Sequence, residues 1–227
     1  MTEILEKALR LTELPAPDGA RDGPAARRNA RPIAEALAEL LPAGGAVLEV
    51  GCGPGIHSAI LAAALAPRRW IPGDITPDSA SSIRSWASVL DPDLSRPQDF
   101  RLLDASLAPD DWPISAEDEI STFFSANVIH ISPWFVAEGL FAAASHHLPD
   151  ELGRLILYGP FARDGVHMSE GNVAFDADLR GRDPSWGIRD LERDILPLSE
   201  KNRLSLLEIR AMPANNLMLV FGKDTPQ

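Results

Sequence analysis

Val47-Leu48-Glu49-Val50-Gly51-Cys52-Gly53-Pro54-Gly55 is an apolar run carrying an acid, followed by three glycines at alternate positions. It reads as a strand, a tight loop and the start of a helix. Gly51 and Gly53 can take backbone angles that a Cβ forbids and let a ligand approach the main chain, while Gly55 opens the helix Ile56 to Ala66. Free N–H groups and the positive end of that helix's dipole then face the loop, which suits a carboxylate or a phosphate. The alternative is a strand-to-helix turn with no ligand.

Dinucleotide-binding loops run GxGxxG, whereas these glycines run GxGxG behind Glu49, and no Lys-Ser/Thr follows as in a nucleoside-triphosphate loop. The pattern resembles the first motif of class I S-adenosylmethionine-dependent methyltransferases, in which the loop passes beneath the methionine part of the cofactor. That resemblance implies S-adenosyl-L-methionine as cofactor.

Working outward, Arg69-Trp70-Ile71-Pro72-Gly73-Asp74 reads as a second strand ending in an acid about twenty residues past the loop, the position from which a carboxylate accepts from ribose hydroxyls. Phe100 to Asp104 reads as a third strand, and Asp104 is placed to accept from an adenine amino group. The competing role for either acid is that of a strand-end turn residue. A fourth strand from Glu119 to Ala126 leads into Asn127-Val128-Ile129-His130-Ile131-Ser132-Pro133-Trp134, just past the strand end where ligands of open parallel sheets bind. Asn127 is expected beside the reacting sulfonium. His130 is a candidate base, with capping or packing as the competing role.

Pro133 starts a helix from Trp134 to His147. Gly153 to Tyr158 reads as a fifth strand, followed by an irregular stretch through Ser185 whose length suggests a functional loop. Its polar and aromatic residues, among them His167, Met168, Asn172, Phe175, Asp176, Arg180 and Trp186, suit a substrate pocket walled by Trp134 and Trp186. Tyr158, the one tyrosine, is expected at the strand tip facing that pocket, or as an interface aromatic with a backbone partner. Gly187 to Leu198 reads as a helix. Ser205 to Ala211 and Leu217 to Gly222 read as a hairpin turned by Met212-Pro213-Ala214-Asn215-Asn216.

The expected fold is therefore α/β: a seven-stranded, mostly parallel, Rossmann-like sheet with a terminal antiparallel hairpin and helices on both faces. Residues 26–227 are expected to form one domain. Residues 1–25, a short amphipathic helix and a Pro/Gly-rich stretch, are expected to be an arm that folds over the cofactor as a lid or simply moves. Arg27, Arg28, Asn29 and Arg31 bunch at the start of the next helix, where cations are unfavourable, so an anion contact there is worth testing.

Composition bounds function. With 227 residues, 45% of them hydrophobic, the chain can bury a large core. A net charge of -12 opposes nucleic acid as a partner and leaves a small-molecule substrate as the expectation. The single cysteine, Cys52, forms no internal disulfide, and no metal-ligand spacing is evident. No apolar run reaches bilayer length and no leader pattern is evident, so no membrane contact is expected and a cytoplasmic location is the default. A homodimer is compatible with a sheet of this class, with no interface to name.

Asn127 to Trp134, Glu138-Gly139-Leu140-Phe141, Leu157-Tyr158-Gly159-Pro160-Phe161, Phe175-Asp176, Leu179-Arg180, Arg182 to Asp190 and Met212 to Asn216 resemble the signature blocks of a methyltransferase-like family known as domain of unknown function 938. Arg28-Asn29 with Pro32-Ile33 resembles its N-terminal block, which makes Arg28 and Asn29 candidate cofactor contacts. The resemblance spans roughly residues 25 to 223. Relatives often have Ser-Gly-Thr-Gly-Gln-His where this chain has Cys52-Gly53-Pro54-Gly55-Ile56-His57. That change alters the methionine pocket and makes His57 a candidate contact for the cofactor carboxylate. What is implied is a small-molecule methyltransferase shaped at its reacting end by Asn127, Tyr158 and His130. Two other functions stay open: a cyclase that displaces methylthioadenosine from the same cofactor, with aromatic residues stabilising the sulfonium, and a non-catalytic cofactor-binding partner protein.

Overall fold

The computed structural model describes residues 2–223. Seven strands, β1 (Ala46–Val50), β2 (Trp70–Asp74), β3 (Arg101–Leu102), β4 (Ile120–Ala126), β5 (Arg154–Gly159), β6 (Leu204–Met212) and β7 (Asn216–Lys223), form a mixed sheet of order β3-β2-β1-β4-β5-β7-β6. The chain divides into two compact units, Met1–Leu103 with Pro113–Ile120, and Asp104–Trp112 with Ser121–Gln227. Among the described residues no helix is long and apolar enough to cross a membrane.

In the first unit β1 pairs parallel with β2 (Val47↔Trp70 to Val50↔Gly73), and β2 with β3. Every residue of β1 and β2 is buried, which is why both lack the alternation of a one-faced strand. The helices are α1 (Thr2–Leu9), α2 (Pro24–Leu40), α3 (Ile56–Ala64) and α4 (Ser79–Ser88). All nine residues of α3 are buried, and its alanines let neighbouring helices approach closely. Pro24 sits in the first turn of α2, where its missing N–H costs nothing. Leu5, Ala8 and Leu9 of α1, with Leu11 in the 3-10 turn that follows, are buried. Each leucine contributes roughly 1.5–3 kcal/mol, which fixes the start of the chain to this unit.

In the second unit β4 pairs parallel with β5, and β7 runs antiparallel to both β5 and β6. β6 alternates exposed with half-buried positions and shifts register between Leu206 and Glu208, both features that blunt an edge strand. The helices are α5 (Trp134–His147), α6 (Glu170–Arg182) and α7 (Leu196–Lys201). Trp112 stacks on Phe123 at 5.3 Å between centroids, and Phe141 meets Phe221 edge-on at 5.4 Å. Gly139 of α5 lies under the Ala105 carbonyl so closely that any Cβ there would overlap it.

Three expectations change. The stretch read as irregular through Ser185 contains α6, which shows little hydrophobic periodicity because only Asn172 and Leu179 are buried. Its local signals are polar: Ser169 caps the Asn172 N–H, and Asp176–Arg180 and Asp178–Arg182 pair one turn apart. The helix expected over Gly187 to Leu198 instead begins as a π turn (Leu191–Ile195) and continues as α7 to Lys201. Asp190 is extended and bridges Ala162. The third strand shrinks to two residues, leaving Asp104 two positions beyond it.

Candidate functional site

The glycine loop and the acid of the second strand meet in the first unit. Gly51, Gly53 and Gly55 all have positive φ (75°, 55° and 82°). The Gly51 and Cys52 N–H groups donate to the Gly73 carbonyl at 2.8 and 3.0 Å, tying the loop to the end of β2. Asp74 Oδ2 accepts from the Gly53 N–H at 2.8 Å and Oδ1 from the Thr76 N–H at 2.8 Å. The last two glycines do different jobs: a Cβ on Gly53 would have nothing within 4 Å, whereas one on Gly55 would overlap Ile83 of α4. The middle of the loop therefore borders open space and its end borders the core. Cys52 is buried, which pushes its thiol up.

Glu49 and His57 face elsewhere. Glu49 Oε2 accepts from Ser58 Oγ at 2.5 Å and Trp70 Nε1 at 2.8 Å, inside the unit rather than toward the loop. Burial pushes its carboxyl up to about 7, against the pull of those two donors. His57 Nε2 donates to the Ala26 carbonyl at 2.8 Å, and burial holds the ring down at about 4. It is a neutral link between α3 and α2, with no positive charge to offer a carboxylate.

The arginine bunch at the start of α2 is largely consumed within the unit. Arg27 donates to the Leu11, Thr12 and Leu14 carbonyls at 3.1, 2.9 and 2.7 Å, pairs with Asp22 at 2.6 Å, and lies over Trp86 at 5.0 Å from the ring centroid. It thus serves the carbonyl-rich end of the preceding helical segment, where a cation is favourable. Arg31 makes a two-toothed contact with Glu6 at 2.7 and 2.8 Å. Arg28 is exposed and Asn29 half-buried, and no hydrogen bond from either side chain is present among the described residues.

Arg21 was not distinguished by sequence, yet it touches the loop. One guanidinium nitrogen donates to the Gly53 carbonyl at 2.9 Å and to Ser79 Oγ at 2.7 Å. Its backbone N–H donates to Ser82 Oγ, its carbonyl accepts from Trp86 Nε1, and Ser82 Oγ donates to the Pro54 carbonyl. No local motif marks such a residue, because every partner of Arg21 lies at least 32 positions away.

The other predicted residues lie in the second unit. Asp104 Oδ1 accepts from the Ser106 N–H and Oγ at 2.9 and 2.7 Å. Asn127 is left-handed (φ 63°), its N–H donates to the Tyr158 carbonyl at 2.8 Å, and its carbonyl accepts from the His130 N–H. His130 is fully buried: Nδ1 accepts from the Arg189 N–H at 3.3 Å, the ring meets Phe161 edge-on at 4.9 Å, and its carbonyl accepts from the Gly187 N–H. Burial and then the Arg189 charge push its pKa down to about 3. Nε2 therefore carries the proton, and it has no partner among the described residues. Gly159 makes room for it, since a Cβ there would stand 2.6 Å from His130 Nε2 and 3.1 Å from Asn127 Oδ1. Tyr158, the next-to-last residue of β5, is buried. Trp134, half-buried, lies beneath Arg189 at 5.5 Å, and Arg189 also holds the Ile129, Ser132 and Ser185 carbonyls. Trp186 is half-buried, its N–H on the Asp183 carbonyl. No group of three or more metal-ligating side chains occurs among the described residues.

A sheet of this order, with a glycine loop after β1 and an acid ending β2, is the methyltransferase-like α/β fold, and solved structures share it. An O-methyltransferase family protein from Burkholderia thailandensis superposes with a TM-score of 0.72 at 13% identity, covering 89% of this chain and 58% of its own. Human N-acetylserotonin methyltransferase, solved with S-adenosylmethionine, gives 0.66 at 14% identity over 99% of this chain and 56% of its own. An O-methyltransferase family 2 protein from Planctomyces limnophilus, solved with apigenin, gives 0.63 at 20% identity over 86% and 62%. This chain thus spans less than two thirds of each, and at these identities what is shared is the fold. Residues 21–223 match the family described as "Protein of unknown function (DUF938)", and the chain belongs to it.

Proposed function

We propose that this protein is an S-adenosylmethionine-dependent methyltransferase acting on a small molecule. The observation that carries the reading is Gly53: left-handed, open above its Cα, and held by its N–H to the carboxylate of Asp74. A left-handed glycine with open space above it lets a ligand lie directly on the backbone. When bound, the cofactor supplies a methyl group on a positively charged sulfur, ready for a nucleophile. Gly51 and Gly53 would present backbone to its methionine part. Asp74, which can accept more hydrogen bonds than the two it has, would take the ribose hydroxyls. Asp104 and Asn127 keep the proposed adenine and methyl-end roles, each lying just past the C-terminal end of a strand. Arg21, which braces the Gly53 carbonyl, would tie residues 1–25 over the loop as a lid. Glu49 and His57 would act at one remove, by setting the strand and helix that flank the loop.

Methyl transfer to a good nucleophile needs chiefly proximity and alignment, worth roughly 7–11 kcal/mol. His130 would hold Asn127 and Gly159 in place rather than take protons, and Tyr158 would pack behind them. Trp134 and Trp186 remain proposed walls for the acceptor. Solved neighbours support a small-molecule substrate: one contains apigenin, and another, OxaC, contains oxaline with S-adenosylhomocysteine. The net charge of -12 argues in the same direction. A cytoplasmic setting and a homodimer are proposals on the same footing.

Calorimetric titration with S-adenosylmethionine and S-adenosylhomocysteine, with mass spectrometry of overnight mixtures lacking an acceptor, tests this. Micromolar binding with intact cofactor is expected. Accumulating methylthioadenosine would move the reading to a cyclase, and no binding would overturn it.

A further inference from the structure

β6 is the last strand in the sheet order and, at nine residues, the longest. Among the described residues it pairs with no strand but β7, and both lie in the second unit. The far side of such a strand presents backbone N–H and C=O groups to another chain, and edges of this kind are usually kept short or covered with charge. Here the exposed face is apolar: Leu207 is 52% and Ile209 40% accessible, and Ala211 is exposed with them. On the opposite, half-buried face Glu208 and Arg210 pair, with Arg210 Nε at 2.9 Å and Nη2 at 2.8 Å from Glu208 Oε1. The register shift between Leu206 and Glu208 keeps a long strand from pairing along the whole edge, so Leu207 to Ala211 is the stretch that decides a partner.

The order of residues in that stretch is complementary to itself. Two copies meeting edge to edge in antiparallel sense are related by a two-fold axis. Directly opposite residues on paired strands point to the same face, so the axis passes through a residue rather than between two. An axis at Glu208 sets Glu208 against its own copy, and one at Arg210 does the same for Arg210; like charges directly opposite are destabilising. An axis at Leu207 or at Ala211 leaves both charges opposite apolar side chains. An axis at Ile209 places Glu208 of each copy opposite Arg210 of the other, Ile209 opposite itself, and Leu207 opposite Ala211. The two in-chain ion pairs then join into a ring of four alternating charges on one face, and six apolar side chains meet on the other.

We propose that β6 is a homodimer interface, joining two copies of this chain edge to edge about a two-fold axis at Ile209. It rests on the homodimer put forward above, for which it supplies the surface, and is independent of the cofactor. Backbone hydrogen bonds across the axis and the apolar face provide the adhesion, and the alternation of Glu208 and Arg210 fixes the register. A strand of another protein lacking that alternation meets at least one unmatched charge.

Sedimentation equilibrium of the protein is expected to show a reversible monomer–dimer equilibrium with a Kd of about 10–100 μM, the weak end of the scale for so short an interface. Ile209→Cys is expected to give a disulfide-linked dimer under mild oxidation, because directly opposite residues of antiparallel strands have Cα atoms about 4.5–5.5 Å apart, within disulfide reach. Leu207→Cys is expected to stay unlinked, since its counterpart lies four residues along the partner strand, about 13 Å away. The native Cys52 is buried and takes no part. Glu208→Arg and Arg210→Glu should each weaken self-association by about tenfold or more, yet associate with one another when mixed, which a role confined to the in-chain pair does not produce. A monomer at every concentration up to about 1 mM removes the homodimer and this interface with it, leaving the edge to a strand of another protein. A dimer whose Ile209→Cys variant does not cross-link, or whose two charge variants fail to associate when mixed, keeps the homodimer and overturns this surface.

Discussion

Substituting Ala at Gly53 and at Gly55 separates a loop that binds from a loop that merely turns. Both glycines are left-handed, at φ 55° and 82°, so either alanine costs about 1–2 kcal/mol of backbone strain. At Gly53 that is nearly the whole cost to the fold, because the added methyl meets nothing within 4 Å. At Gly55 the methyl overlaps the Ile83 side chain and lies 3.1 Å from its Cα, and Ile83 is buried. Overpacking adds roughly 1–3 kcal/mol, for a total of about 2–5 kcal/mol. In a domain of this size 1 kcal/mol moves Tm by roughly 2–4 °C, so Gly53→Ala should melt a few degrees low and Gly55→Ala far lower. The order reverses for function. Gly53→Ala puts a methyl where the cofactor is proposed to lie on the backbone, and should weaken S-adenosylmethionine binding by about tenfold or more, the equivalent of about 1.4 kcal/mol. Scanning calorimetry and titration of the same preparations read both quantities. A Gly53→Ala protein that binds as tightly as wild type would refute the reasoning.

Asp74→Asn places an NH2 group against the Gly53 or the Thr76 N–H; it should cost roughly 1.5–3 kcal/mol in stability and more than tenfold in cofactor affinity, and unchanged affinity in the folded variant would remove Asp74 from the ribose. Burial raises Glu49 to about 7 from 4.5, so its contribution to stability is lost as pH rises through that window; burial lowers His57 to about 4 and His130 to about 3 from 6.5, so theirs is lost as pH falls below 6.5. These trends oppose each other between 4.5 and 6.5, and Glu49→Gln should steepen the acid-side loss there by up to about 1.4 kcal/mol per pH unit, read from denaturant melts; an unchanged slope would refute the buried acid. Gly159→Ala should destabilise by about 1–3 kcal/mol through its clash with the His130 ring, and His130→Ala should relieve part of that loss in the double variant, so strictly additive effects would place the two apart.

Most of the architecture was readable because its signals are local. Val47 to Val50, apolar apart from Glu49, and Trp70 to Ile71 are runs too short for helices, and glycines or prolines punctuate them. The final hairpin announced itself through Pro213 and two asparagines, and Ala214 and Asn215 indeed turn with positive φ. Where the sequence misled, the local signal was weak or polar. α6 buries two residues and is held by a cap and ion pairs, so its hydrophobic pattern says nothing. Leu191 to Ile195 winds as a π turn at a place where Asp190 caps the next backbone N–H groups and bridges Ala162.

By itself the sequence determined which residue types stand at strand ends and loop corners: Gly51, Gly53 and Gly55, the acids Asp74 and Asp104, and Asn127. Those choices answer to backbone angle and chain reversal, which are properties of a few neighbouring residues. Only the tertiary structure decided where side chains point. Glu49 turns inward because Ser58 and Trp70 lie on that side, and Arg21 reaches Gly53 across 32 positions. His130 is enclosed while His167 stands against a carboxylate brought there by a helix that periodicity did not show. Burial and long-range partners set the charge and freedom of an ionisable group, and neither is written in its immediate neighbours.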